Sequence, residues 1–340
     1  DRLRSRGLGD VYKRQTLIAL LGGCTSTSVT EKYQDKRNDI INVKDKVIEF
    51  ETGNVLIGSV SRLYMSNKCL LIADHKSVDK QIHIFNKNDF SYLTSIGNFG
   101  EGPEEITVMG CLAIDEAHHQ LYVSDHAKQK IFSYDMDSVM VDSLYKPQVK
   151  TAMNETLFPS EYQYINDTLS IAVLIKPTST STFNQFLGRW NMNTGEMIPM
   201  KYTHPDIQKK RITFAASEKA GIYVECYTRH DLMTICSLDG ELLYNIYGPD
   251  WDGGNGNKLQ SFGTVMIGND KIFVSYCGED YARDSFPTKI LVFDLEGNYL
   301  KTLETGYKIS DCCYDSFNNR IILSLNDVVQ FAYLDIDGII

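Results

Sequence analysis

The chain has 340 residues, a formal net charge of −10 and an aromatic share of 11 %, with 20 Tyr and 15 Phe but only 8 Pro. Aromatic and β-branched side chains suit a pleated, half-buried surface, and the length fits one large closed β fold. The charge argues against a nucleic-acid binder: about −13 remains once residues 1–24 are set aside, and no basic run carries interleaved aromatics.

Residues 1–15 resemble translated adaptor sequence and read as a non-native leader, outside any fold argument. Residues 16–24 hold a six-residue apolar run followed by Gly22, Gly23 and Cys24. That is shorter than the ~7–15 apolar residues of a full secretory signal, so the signal is truncated. Leu21, Gly22, Gly23 and Cys24 resemble the lipobox of bacterial lipoproteins, which implies a lipid on Cys24 and a place in the cell envelope. The lack of an acidic cluster after Cys24 points to the outer membrane and a periplasm-facing position. No other apolar run nears the ~20 residues that span a bilayer. Residues 25–42 are Ser/Thr-rich and then charged, which predicts a flexible tether.

Residues 43–340 carry a repeat. An apolar strand, a four-residue polar turn and a second strand recur six times, with turns ending at Asp89, Ser138, Gly195, Gly240, Gly297 and Gly338. The interval averages about 50 residues, the size of a four-stranded propeller blade with variable loops. Asp and Asn bond their own turn backbone and Gly supplies positive φ. A further apolar strand precedes each hairpin, at 70–74, 121–125, 169–173, 222–226, 272–276 and 321–325, with weaker strands upstream at 108–114, 264–267 and 309–314. The last repeat stops two residues after its turn and lacks a fourth strand. Residues 46–50, unpaired before the first repeat, are the expected donor, closing the ring and removing an edge. The fold class is thus all-β: a six-bladed β-propeller of four-stranded blades, closed by an N-terminal strand in the last blade.

With its Gly-rich segment at 96–105 and its lipobox, this pattern resembles the TolB-like six-bladed propeller lipoproteins, relatives of the NHL-repeat propellers. The resemblance implies fold and location more than activity. Seven Cys remain beside Cys24, none in C-x-x-C spacing; buried apolar thiols are expected, with a disulfide between neighbouring strands as the alternative.

Loop lengths are lopsided. Short turns fall on one face; the long connections at 97–107, 146–162, 176–185, 248–261 and 278–288 fall on the other. Binding groups concentrate on loops held by a rigid scaffold, so this crown and the channel mouth are the expected site. Its candidates are Asp74, His75, Glu101, Glu104, Asp125, His126, Tyr227, Arg229, His230, Trp251, Asp252, Tyr276, Asp280, Tyr281 and Arg283. Asp74 and Asp125 end equivalent strands and are expected to cap loop backbone. Trp251 reads equally as an exposed anchor or a plug. The Asp250–Asn257 stretch fails EF-hand spacing. Glu101, Glu104 and Glu105 are expected to be solvated.

No G-x-S-x-G, H-E-x-x-H or paired-Cys signature is present. The leading expectation is a monomeric, non-catalytic binding or scaffolding module for a protein, peptide or glycan. The alternative is a metal-dependent lactonase-type hydrolase or lyase at the channel mouth, the one reading that needs a divalent cation; no cofactor is otherwise expected. It requires three or more carboxylate, amide or imidazole groups to converge there. A third reading is a sensor that reports envelope state to a partner.

Overall fold

The computed structural model describes residues 30–142, 144–256, 258–283 and 285–340. Cys24 and the lipobox lie outside the described residues. Six four-stranded antiparallel meanders, their strands termed a to d from the axis outward, form a six-bladed β-propeller. Blade 1 is Ser61–Met65, Cys69–Asp74, Lys80–Asn86 and Tyr92–Asn98. Blade 2 is Met109–Asp115, Gln120–Asp125, Lys130–Asp135 and Gln148–Ala152. Blade 3 is Phe158–Asn166, Leu169–Pro177, Phe183–Trp190 and Met197–Pro199. Blade 4 is Ile212–Ser217, Ile222–Tyr227, Leu232–Ser237 and Leu242–Tyr247. Blade 5 is Leu259–Ile267, Lys271–Asp280, Lys289–Asp294 and Tyr299–Glu304. Blade 6 is Ile309–Asp315, Arg320–Leu325 and Phe331–Asp335, with Val47–Glu49 as its fourth strand.

The ring closes as the missing strand predicts. Val47, Ile48 and Glu49 pair antiparallel with Leu334, Tyr333 and Ala332. Phe50 follows and stacks on Phe90 of blade 1, ring centroids 3.9 Å apart.

Each b strand is sandwiched between neighbouring blades, which is why it reads as a continuous apolar run. Every residue of Cys69–Asp74, Ile222–Tyr227 and Arg320–Leu325 is buried. The core is accordingly a ring of apolar clusters, one between each pair of adjacent blades. All seven described Cys lie in or beside this ring, buried and unpaired.

Three expectations need correction. Residues 30–42 are not a free tether. Glu31–Tyr33 pairs in parallel with the outer strand of blade 4, and Ile40–Asn42 does the same on blade 5. Backbone pairing on an open edge needs little apolar sequence, and it covers two edges that would otherwise be exposed. The blade 2 turn expected at 135–138 is the start of a helix, Met136–Val141, because Asp135 caps it by accepting the Ser138 amide. The long connection expected at 146–162 contains the outer strand of blade 2 and the start of blade 3.

Candidate functional site

The a strands leave a central channel of about 1360 Å³, lined by residues at both ends of those strands. Its charged feature is a pair that links blades 1 and 3 in front of blade 2. Arg62 Nη2 donates to Glu161 Oε1 at 2.8 Å, and both side chains stay roughly two-fifths exposed, at 45 % and 39 %. Asp311 of blade 6 also lines the wall. It accepts from the Leu63 amide at 2.8 Å and from Thr264 Oγ1 at 2.6 Å, tying blades 1, 5 and 6 together. Burial pushes its carboxyl above the ordinary range, with those hydrogen bonds opposing.

Two imidazoles stand at the mouth. His75 follows the b strand of blade 1, and its Nδ1 lies 3.3 Å from the Met109 carbonyl oxygen of blade 2. His126 holds the same place in blade 2. Its ring lies edge-on to Phe158 and covers Gly110, where a Cβ would come within 2.5 Å of Nε2. Nε2 of each ring is buried and has no partner among the described residues. Burial lowers the pKa of both, so both favour the neutral form.

Asp74 and Asp125, just before these histidines, hold the loop backbone. Asp74 accepts from the Gly58 and Lys76 amides. Asp125 accepts from Thr107, Val108, Ala127 and Lys128. The imidazoles are therefore placed by wired loop ends rather than by flexible ones.

The remaining candidates do not join the channel. Glu101 is exposed, and Glu104 pairs with Lys146 at the surface. Glu105 instead bonds the Gly102 amide, and the Lys128 ammonium gathers the carbonyls of Gly100, Gly102 and Glu105, so the Gly-rich loop is tied to itself. Tyr227 is fully buried and donates to Glu225, which Lys210 neutralises. Tyr276 is also buried, bonded to Asp231 and Asp250 between blades 4 and 5. Trp251 is a plug: its ring packs against Tyr247, His204 and His230. His230 pairs with Asp252 at 3.3 Å. Arg229 stacks on Tyr281. Asp280 caps Ala282, and Arg283 pairs with Glu279 in solvent.

The channel groups that the loop argument missed are Arg62, Glu161 and Asp311, all on a strands. The available signal was weak: each is a charged residue within a strand of mixed polarity, where a charge has to meet a partner, solvent or a cavity.

Among the described residues, one group of three His, Cys, Asp or Glu side chains comes within coordination reach, and it is not in the channel. Asp115, His118 and Asp167 place ligand atoms within 4.8 Å of one another on the short-turn face between blades 2 and 3. Asp115 is already engaged there by the His118 amide, His118 Nδ1 and Tyr122. Cys111, also on the channel wall, is a poor nucleophile, because burial pushes its thiol up to about 12.

Residues 25–184 match a family model described as DUF5128, a six-bladed β-propeller. Solved structures with the same fold include a protein described as a putative exported protein from Bacteroides fragilis, at 13 % identity and TM-score 0.58, covering 90 % of this chain and 98 % of that one. A member of the DUF4221 family from Bacteroides vulgatus aligns at 10 % identity and TM-score 0.59 over 88 % and 98 % of the two chains. The β-propeller domain of Cps50 (Swd1) from Myceliophteria thermophila aligns at 10 % identity and TM-score 0.52 over 83 % and 98 %. No curated protein matches the sequence.

Proposed function

We propose that this propeller is an extracytoplasmic binding module that takes its ligand at the crown-side mouth of the channel, tethered to the envelope by a lipid on Cys24 and akin to TolB-like propeller lipoproteins. The exported neighbour in Bacteroides fragilis and the lipobox support the location. The Arg62–Glu161 pair carries the binding reading. It joins two blades that are not neighbours, at 2.8 Å and partly solvated. Such exposed pairs add only about 0–1 kcal/mol to stability. A donor and an acceptor held at the mouth of a deep cavity are better placed to exchange their bond for one to a ligand.

The test is capture of small molecules from an envelope extract, followed by denaturation and mass spectrometry of what is released. The wild-type protein should release a compound that an Arg62→Met/Glu161→Gln variant does not. Recovery of the same compound from both, or of none from either, would refute the site. Lipid attachment is tested by labelled palmitate, whose incorporation should vanish in Cys24→Ala.

A protein partner is the second reading. Leu56, Val78 and Val328 stand 94 %, 82 % and 99 % exposed on crown loops of blades 1 and 6. Their replacement by Ser should abolish partner binding while leaving small-molecule capture intact.

A further inference from the structure

Arg62 and Glu161 use only part of what they offer. Among the described residues, the guanidinium makes one side-chain hydrogen bond, from Nη2 to Glu161 Oε1, and Glu161 Oε2 accepts none. A guanidinium carries several N–H donors and an ionised carboxylate several lone pairs, so most of both groups is left for solvent or a ligand. The two side chains are 45 % and 39 % exposed. Both line the channel. Arg62 pairs with Ala73 and Glu161 with Val173, which sets both in the crown-side half of their strands.

The pair selects by charge. A ligand with a single charge would be drawn to one member and repelled by the other, the two being 2.8 Å apart. A ligand that carries both charges meets no such opposition. Its carboxylate lies against the guanidinium and its ammonium against the Glu161 carboxylate, every contact is charge-assisted, and no charge is left stranded. Spacing selects next. Facing a pair held at 2.8 Å, the two ligand charges have to lie about one hydrogen bond apart. In an α-amino acid they sit on the same carbon and meet that demand. In a dipeptide a further residue separates them. The rest of the wall selects the side chain. Blades 4 and 5 contribute Phe214 and Phe286, both partly exposed, and no charged residue to the lining among the described residues. An acidic or basic side chain would find no partner there.

We infer that the channel binds a free α-amino acid with an uncharged side chain, its carboxylate on Arg62 and its ammonium on Glu161. This rests on the reading that the channel is the ligand site.

The experiment is isothermal titration calorimetry on the purified full chain, with leucine, phenylalanine, methionine, glutamine, glutamate and lysine as probes. At least one of the four with uncharged side chains should bind with a Kd below about 1 mM. Its N-acetyl derivative lacks the ammonium and its amide lacks the carboxylate, and each should bind about tenfold more weakly or worse. Glutamate, lysine and the dipeptide of the same residue should fall behind by a similar factor. These comparisons use the wild-type protein, so they hold whether or not a variant folds. Arg62→Met and Glu161→Gln should each weaken the amino acid by about tenfold or more while keeping a cooperative melting transition. Glu116→Gln, a carboxylate removed from the opposite end of the same wall, should leave the affinity unchanged. The amino acid is ruled out if no probe binds below about 1 mM, if either derivative binds as well as its parent, or if both single variants keep the wild-type affinity. A different compound recovered from the extract, and lost in Arg62→Met/Glu161→Gln, would overturn the amino acid and leave the binding module standing. An empty extract together with a silent panel would remove both.

Discussion

The Arg37 guanidinium donates to the Asp231 carboxylate at 2.7 Å, with the two side chains 6 % and 0 % exposed. Phe262, Tyr276 and Phe293 surround the guanidinium. This one side chain carries the segment between the two edge strands into the seam of blades 4 and 5. Asp231 also accepts from the Asp250 amide. Burial pushes its carboxyl up, and Arg37 opposes that.

Arg37→Ala should therefore destabilise the fold by about 3–5 kcal/mol, because it strands a buried carboxylate. An Arg37→Met/Asp231→Asn double variant should recover much of that loss. Urea unfolding monitored by fluorescence measures both. A loss below about 1 kcal/mol for Arg37→Ala would mean that the segment is held by its edge strands alone.

Ring closure should be the most sensitive joint. Phe50 touches Phe90 and Phe331 at the seam of blades 6 and 1. Phe50→Ala should cost about 3–5 kcal/mol. Deletion of residues 44–51 removes the fourth strand of blade 6 altogether and should abolish cooperative unfolding. An unchanged calorimetric transition in the deletion would disprove closure by this strand.

Burial lowers the pKa of His75, His83, His126 and His204 from the ordinary 6.5. Below pH 6.5 the unfolded chain then binds more protons than the folded one, so this contribution to stability falls as the pH drops from about 6.5 through the folded-state values. The fall in melting temperature from pH 7 to pH 5.5 should be smaller in His126→Gln than in the wild type. His118 shifts the other way, because it bonds Asp115. In an imidazole NMR titration His118 should titrate above 6.5, and His75 and His126 below it.

Gly110 is glycine because of its neighbour. A Cβ there would meet His126 Nε2 at 2.5 Å. Gly110→Ala should push the imidazole out of place and cost about 1–3 kcal/mol, with a larger proportional loss of ligand affinity than of stability. Unchanged ligand capture by this variant would argue that His126 is a bystander.

The blades were legible because their turns repeat a chemical demand. Gly195, Gly240, Gly297 and Gly338 all have positive φ at one position of the hairpin. The same demand recurs in the a–b turns at His119, Gly221 and Asn319, where three residue types hide one backbone geometry. The edge strands at 31–33 and 40–42 were illegible because main-chain bonds make them, and main-chain bonds leave no side-chain period. The site was only half legible. His75 and His126 were found through the aspartates that precede them. Arg62 and Glu161 were not, because which strand edge faces the axis is settled by the closed ring rather than by local sequence.

Closure also has an order in time. Val47–Glu49 pair with Ala332–Leu334, so the ribosome makes one half of that seam about 280 residues before the other. At 5–20 residues per second, that is roughly 15–60 s. Through that interval the first-made segment lacks its partner strand, and blade 6 cannot be finished until Phe331–Asp335 has emerged. The architecture thus postpones its last joint until the strand Phe331–Asp335 has been made, and the ring is kept open until then.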